Sequence, residues 1–582
     1  MVCLRRCLPG RIRRALDELP KTLDETYGRT LEDIDDENWE YAHRLFQCVA
    51  AASRPLRVEQ LAEFLAFDFD TESTPTFLED WRPEDPGQAV LYTCSSLLAV
   101  VNVDGSQVIQ FAHFSVKEYL MSNRLAKAMD KISRFHVSMT AAHTLVTRAC
   151  LGVLLHLGKD ITREVLKMLP LAEYAAEYWV GHARSENVAQ HIQDGIKRLF
   201  DPTKRHLAIW IWIYDPADPW GDVERSEYPS EAGASALHYA ALCGIHDVVK
   251  FLVFEHSQDV DARGLDRNAT PLILASARGH LEVVRILLEC GVDPEIRDRD
   301  GYNSLDEASE AGHVEVAQIL LEHGADAKAQ DNAYWTPLHT ASTEAIARVL
   351  LEHGGDANAQ TKDKRTPLHH SSEVGSVEVT QVLLEHGADA NAQCNDYWTP
   401  LHEAGIEVVA LVLLKHGANP KAQDKYNRTP LHVSSRRGRM EVARVLLEYG
   451  ADPNAQTKDY STPLHGAGTE GVAWALLEHG ANPNAQDKDN RTPLHVSSEQ
   501  GRMEVARVLL EYGADPNARD TKNMTSLHLT SREGHLDIVH LLLLCGSDVH
   551  AQDNDGQTPF QIASRQGHQD IVWLLLDHGA EN

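Results

Sequence analysis

The sequence is poor in the features that most catalytic and extracellular proteins need. Its nine cysteines (Cys3, Cys7, Cys48, Cys94, Cys150, Cys243, Cys290, Cys394 and Cys545) form no CxxC pair and are spread over 582 residues. That excludes a disulfide framework and a zinc knuckle, and points to a reducing, cytoplasmic compartment, with the nucleus also open to it. Basic charge is scarce: 86 acids stand against 55 Lys plus Arg, a formal net charge of −31. A polyanion of this kind repels nucleic acid and anionic membranes, so neither is an expected partner. The apolar run LAIWIWIY, Leu207 to Tyr214, is far too short to span a bilayer. No GxxxxGK[ST] loop is present to cradle phosphates. The nearest decoy, Gly152 with Gly158–Lys159–Asp160, is one residue too long, and Asp160 would repel phosphate. GxSxG and HExxH are absent as well, so no enzyme, cofactor or small-molecule substrate is expected. The first acid is Asp17 and the first serine Ser53, after Arg5, Arg6, Arg11, Arg13 and Arg14. That composition fits a transit peptide or the basic face of a folded helix.

What is abundant is repetition. TPLH or a close variant begins at Ser235, Thr270, Asn303, Thr336, Thr366, Thr399, Thr429, Thr462, Thr492, Thr525 and Thr558, mostly 33 residues apart. Each continues into a short helix and then EVARVLLEYGADPNAQ or a relative of it. The threonine suits a helix N-cap and the proline the first turn. Val442, Val445 and Leu446 give the second helix an apolar face, and Gly450 ends it. One such unit cannot bury its own apolar side, so stacking supplies the core. The tetrapeptide, the period and the GAD-x-N tail resemble the ankyrin repeat over about residues 230 to 582. The resemblance implies about eleven repeats that bind a protein partner through a concave face and finger loops. It also makes the many histidines framework residues, strung along a line and not converging on a metal.

Three units are short. From Thr336, Thr399 and Thr462 the next unit starts 30 residues later, which gives a 63-residue double repeat (303–365, 366–428, 429–491). Aligning Gly405 with Gly438 places the missing residues at the end of the first helix. The lost length is roughly 4.5 Å, so the groove is expected to be notched at units four, six and eight. Those units carry Tyr334–Trp335, Tyr397–Trp398 and Tyr460 before the threonine, whereas the full units carry Lys364–Arg365, Asn427–Arg428 and Asn490–Arg491. Two readings stand: the aromatics fill the vacated space, or they are binding anchors, as Trp and Tyr often are. Arg436, Arg437 and Arg439 make a basic spot that could receive an acidic peptide or remain an ordinary solvated surface. The candidate partner-binding residues are therefore Tyr334, Trp335, Arg365, Tyr397, Trp398, Tyr426, Arg428, Arg436, Arg437, Tyr460 and Arg491.

Before residue 230 no period appears. RIRRALDEL, LDETYGRTLEDI, WEYAHRLFQCVAAAS and VEQLAEFLAF show helical spacing, and SLLAVVNV, then Asp104–Gly105, then QVIQFAHF predicts a hairpin followed by the helix SVKEYLMSNRLA. Helices followed by a wing predict a winged-helix module. The wing, Val100 to Gln110, has no Lys or Arg, which argues against DNA binding. Three more helices are expected, in AAHTLVTRACLGVLLHL, LAEYAAEYWVGHA and NVAQHIQDGIKRLF, with IWIWIYDPADPW sealing the repeat stack. The fold class is thus mainly α, divided into a winged-helix-like domain (1–130), a helical linker and N-terminal cap (131–230) and ankyrin repeats (231–582).

LPKTLDETYGRTL, SRPLRVEQLAEFLAF, FAHFSVKEYL and PLAEYAAEYWVGHA, in that order, resemble the segment that follows the NACHT nucleotide-binding domain in fungal receptor-like signalling NTPases. In that family a histidine before an acidic-aromatic pair senses bound ADP. The resemblance puts His113, ahead of Glu118–Tyr119, in that place as a relic nucleotide-sensing position. The alternative is a histidine packed at the hairpin's end. The opening RCLPGRIRRALDELPKTLDETYGRTL reads like the interior of a domain. Two expectations follow: a non-enzymatic scaffold or adaptor, or the C-terminal sensor segment of a NACHT-type NTPase whose nucleotide-binding domain is supplied elsewhere.

Overall fold

The computed structural model describes residues 23–581, apart from 71–73, 104, 129–130, 159–160, 186–187, 189–191, 219–232 and 266. The expected helix in RIRRALDEL, the arginine-rich start, Cys3, Cys7 and the end of IWIWIYDPADPW lie outside the described residues. The chain forms two compact units, divided after Asp293.

The first unit begins with helices Leu23–Glu32, Trp39–Ala51, Val58–Glu63 and Pro86–Cys94. The expected hairpin is strands Leu98–Val103 and Ser106–Phe111, paired antiparallel from Leu98↔Phe111 to Val103↔Ser106. Gly105, at φ 82°, supplies the left-handed turn residue that a side chain would resist. A two-residue strand, Leu56–Arg57, completes the sheet on the other edge of Ser106–Phe111. The helix expected in SVKEYLMSNRLA is broken in two, Phe114–Leu120 and Asn123–Ala126. Ser122 breaks it: its hydroxyl donates to the Tyr119 carbonyl (2.7 Å) and caps the Leu125 N–H (3.2 Å). Helices followed by a wing make this a winged-helix domain.

Helices Met139–His156, Pro170–Ala183, Gln193–Phe200 and His206–Ile213 follow. Trp179, Phe200 and Trp210 form their aromatic core, and the Trp210 indole donates to the Ala176 carbonyl at 2.8 Å. The start of the aromatic segment therefore packs inside the helical region, where an indole has a buried carbonyl partner. The first repeat is met by helix Gln193–Phe200, with Gln193 donating to Asp247 (2.9 Å) and Lys197 lying 5.1 Å from the Phe251 ring, and by the end of the aromatic segment, where Tyr214 and Asp215 interact electrostatically with Cys243.

The second unit carries the repeats from Asn303 onward. Full units have first helices of seven or eight residues, such as Pro367–Val374, Pro430–Arg436 and Pro493–Glu499. In the short units these shrink to four: Pro337–Thr340, Pro400–Glu403 and the 3-10 turn Pro463–Gly466. Second helices keep nine residues in both kinds, as in Glu407–Lys415 and Met440–Glu448. The deletion thus falls where the sequence put it. The aligned glycines differ in conformation, however. Gly438 has φ 68°, whereas in the short units an extended residue, Thr343, Ile406 or Thr469, enters the second helix directly.

The TPLH motif works as one hydrogen-bonded device. Thr429 N–H donates to His432 Nδ1 at 3.1 Å, which leaves the proton on Nε2 to donate to the Ser461 carbonyl of the next finger at 3.2 Å. His339, His369, His402, His465, His495 and His528 repeat both bonds. Each histidine therefore closes its own helix start and ties it to the following unit.

Candidate functional site

The fingers place the aromatics in two different environments. Each finger closes on a backbone turn, in which the N–H groups of Tyr334, Tyr397 and Tyr460 donate to the carbonyls of Asp331, Cys394 and Thr457 at 3.1, 2.8 and 2.9 Å, and the third residue after the acceptor has positive φ. Tyr334, Tyr397 and Tyr460 occupy that position at φ 66°, 60° and 59°, where the full units place Lys364, Asn427 and Asn490. Asparagine tolerates the left-handed region; tyrosine does so only at a cost of about 1 kcal/mol or more. All three rings are exposed, at 49%, 55% and 56%.

The tryptophans beside them are half-buried. Trp398 donates its indole N–H to Asp424 (3.1 Å), stacks on His402 at 5.8 Å, and lies under the guanidinium groups of Arg428 and Arg437. Trp335 meets His370 edge-on at 5.0 Å. In the third double repeat Ser461 holds this place.

The arginines before the threonines are largely engaged within the fold. Arg365 bonds Glu373 at 2.6 Å and Glu403 at 2.9 Å. Burial pushes the Glu403 carboxyl up to about 7, with Arg365 pulling the other way. Arg491 pairs with Glu499, which also holds Arg532 at 2.8 Å. Unit seven has Arg436 where Glu373 and Glu499 stand, so Arg428 turns to Asp424 (2.6 Å), and Tyr426 packs against it with its ring half-exposed. Arg437 lies on Trp398, and Arg436 has no ion pair among the described residues.

Arg439 is not part of a free basic spot. Its Nη1 donates to the carbonyls of Glu403 (3.2 Å) and Ala404 (2.8 Å), at the end of the preceding short helix. Arg502 does the same to Ala467 at 2.7 Å. After full units the equivalent residue is histidine: His280, His535 and His568 reach the carbonyls of Leu242, Glu499 and Arg532. A shortened helix ends farther away, and the longer arginine spans the gap. The signal was present in the sequence as His after full units and Arg after two of the three short ones, the other being followed by Ser376, visible only once the units were aligned by length. Arg502→Ala is expected to cost about 1–2 kcal/mol, since it strips a charged donor from a part-buried carbonyl. Arg444→Ala, which removes only an exposed pair with Glu448, should change stability by less than about 0.5 kcal/mol. Urea midpoints followed by circular dichroism compare the two.

His113 is exposed. It N-caps helix Phe114–Leu120, with Nδ1 accepting from the Ser115 N–H at 3.3 Å and meeting the Ser115 hydroxyl at 2.6 Å. The exposure rules out a packed histidine at the hairpin's end. Among the described residues no group of three or more His, Cys, Asp or Glu could hold a metal ion, and no helix is long and apolar enough to cross a membrane.

Family models for ankyrin repeats match residues 237–331, 350–404, 413–467, 452–520 and 515–582, with a single ankyrin repeat at 334–362. The model described as GPI inositol-deacylase, winged helix domain, matches residues 36–136. The chain is 31% identical over 295 residues to the azaphilone pigments biosynthesis cluster protein L of Monascus ruber, covering 48% of this chain and 61% of that protein. It is 40% identical over 73 residues to the palmitoyltransferase Hip14 of Drosophila melanogaster, 12% of this chain and 11% of that protein. It is also 40% identical over 77 residues to the palmitoyltransferase ZDHHC13 of Homo sapiens, 13% and 12% of the two chains. The palmitoyltransferase likenesses are partial matches in the ankyrin region. The chain thus spans less than two thirds of the length of each of these relatives. With repeats matched along its second half and a wing ahead of them, the chain belongs to the ankyrin-repeat proteins and carries an N-terminal winged-helix domain of the GPI inositol-deacylase type.

Proposed function

We propose that this chain is a non-enzymatic scaffold, in a cytoplasmic setting, that holds a protein partner on the finger tips and first helices of its repeats. In this reading residues 1–130 form the winged-helix module, 131–230 link and cap, and 231–582 bind. The observation that carries it is the row of Tyr334, Tyr397 and Tyr460, each exposed and each in a left-handed conformation that asparagine would satisfy better. Folding gains little from a tyrosine there, no more than the exposed contact of Lys362 on the Tyr334 ring at 5.3 Å, whereas recognition gains a rigid amphipathic ring. A photo-crosslinking amino acid at position 397, with one at the exposed Trp573 on a second helix as control, tests the reading in cells. Crosslinking to one defined partner from position 397 alone is expected; equal labelling from both positions overturns it. The triple variant Tyr334→Asn, Tyr397→Asn, Tyr460→Asn should abolish partner crosslinking by a probe placed at neighbouring Asp396, while melting no lower than the parent. A fall in melting temperature would mean that the tyrosines serve the fold.

The winged-helix match and the exposed His113 at a helix N-cap favour a second reading. Here the chain is the sensor segment of a NACHT-type NTPase, working with a nucleotide-binding domain supplied elsewhere. An in-frame P-loop upstream of Met1 in the transcript would support it; tight ADP binding by this chain alone would contradict both readings.

A further inference from the structure

The second and third double repeats are close copies, so their differences at equivalent positions are informative. Around the junction of units five and six stand Asp363, Glu373, Asn395, Trp398 and Glu403. Sixty-three residues on, around the junction of units seven and eight, stand Tyr426, Arg436, Lys458, Ser461 and Gly466. Three acids are lost, two cations are gained and the tryptophan becomes a serine. On a chain of net charge −31, the charge differences around this junction run toward positive, whereas farther along the same repeats Lys415, Lys421 and Tyr426 give way to Glu478, Asn484 and Asp489.

The consequence is a cavity of about 440 Å³ between the first helix of unit seven, the shortened turn of unit eight and the finger that joins them. That size lies within the range of about 300–1,000 Å³ typical of ligand pockets. Ser461 and Gly466 leave it open where the indole of Trp398 and the carboxylate of Glu403 occupy unit six. Val433, Pro463 and Val496 line its apolar part, and half-exposed Tyr426 stands at its edge.

Its charges are unbalanced. Arg428 is neutralised by Asp424 at 2.6 Å, and Asp459 by Lys488 at 2.8 Å. Arg436 and Lys458, which also line the cavity, have no carboxylate within ion-pair distance among the described residues. The same position in units five and nine is Glu373 or Glu499, each paired with its own arginine.

We propose that this cavity anchors an acidic segment of a partner polypeptide, with a carboxylate side chain between Arg436 and Lys458 and its aliphatic stem against Val433 and Val496. This rests on the reading of the repeats as a protein-binding surface. Two cations suit a short acidic segment, whose carboxylates they match one to one. A phosphate polymer would meet the acidic remainder of the chain and be repelled.

The test uses the full chain and fluorescein-labelled octaglutamate, followed by anisotropy at low ionic strength, with octalysine as the charge control. Octaglutamate should bind and octalysine should not bind at this site. Arg436→Glu, which recreates the pairing seen in unit five, and Ser461→Trp, which recreates the side chain of unit six, should each weaken octaglutamate binding by at least about tenfold. Both should melt as the parent does, and Arg444→Glu, on a second helix, should bind as the parent does. Unchanged binding in both cavity variants overturns the assignment, as does absence of binding by the parent. Free glutamate or citrate competing as well as the peptide at equal concentration would make this a small-acid site and overturns it too. A silent peptide alongside a positive crosslink at position 397 removes this assignment alone; loss of that crosslink removes the scaffold reading beneath it.

Discussion

On acidification from about pH 7.5 to about pH 5.5 the repeat array should lose about 1 kcal/mol of stability or more. The cause is the TPLH histidine. Burial holds His339, His369, His402 and His432 at about 4, against 6.5 for the free side chain. A protonated ring could no longer accept the threonine N–H at Nδ1, so the folded state stays neutral while the unfolded chain takes up protons. Between these two values the unfolded state binds more protons, so stability rises with pH and falls as pH drops from 6.5 toward 4. At about pH 5.5 each of the four costs about 1.4 kcal/mol, or about 5 kcal/mol together. His238, His465, His495 and His528 are lowered by the same burial and add to the loss. Asp306 and Glu403 run the other way: burial raises both to about 7, so their folded forms gain protons first. Over the same interval they return about 2 kcal/mol each, which leaves a net loss. Urea midpoints by circular dichroism across this range check the slope. Glu403→Gln should steepen it, and a flat midpoint in that variant would mean that the histidines are not held neutral.

That histidine also shows what could be read from sequence and what could not. Its bonds to Thr429 and to the next finger follow from local geometry, because the TPLH spacing puts the ring beside its own helix start. The repeat count, the hairpin with its Asp104–Gly105 turn and the site of the three-residue deletion were legible for the same reason: each is set by residues near in sequence. Arg439 was misread because its partners, Glu403 and Ala404, lie 36 and 35 residues away. An arginine on an acidic chain looks free until the shortened helix that it reaches is in place. The aromatic segment divides in a way the sequence does not show: Trp210 packs among the helices while Tyr214 interacts with Cys243 of the first repeat. Its hydrophobicity said that it must be covered, but not whether by the repeats or by Trp179 and Phe200. The cavity of unit eight needed three dimensions, since it arises from Ser461 and Gly466 together, and neither residue is unusual alone.

Replacing Trp398 with alanine should lower stability by about 2–3 kcal/mol, less than the ~3–5 kcal/mol of a fully buried aromatic because its ring is half-buried. The substitution removes the stack on His402, the contact under Arg437 and the indole bond to Asp424. Asp424 keeps Arg428 and the backbone N–H groups of Tyr426 and Arg428, so the loss should stop short of unfolding the unit. Trp335→Ala should cost less, about 1–2 kcal/mol, since that indole is held mainly by the rings of His339 and His370. Tyr397→Ala, one residue before Trp398, should cost nothing measurable, because its ring is exposed and its backbone position disfavours any bulky side chain. Thermal melts of the three single variants, set beside crosslinking from position 396, separate the two aromatics. Tryptophan that stabilises without being needed for the partner, beside tyrosine that is needed without stabilising, is the expected division. If Trp398→Ala leaves the melting temperature unchanged and removes the crosslink, the indole is an anchor like the tyrosines, and the two adjacent side chains make one binding surface.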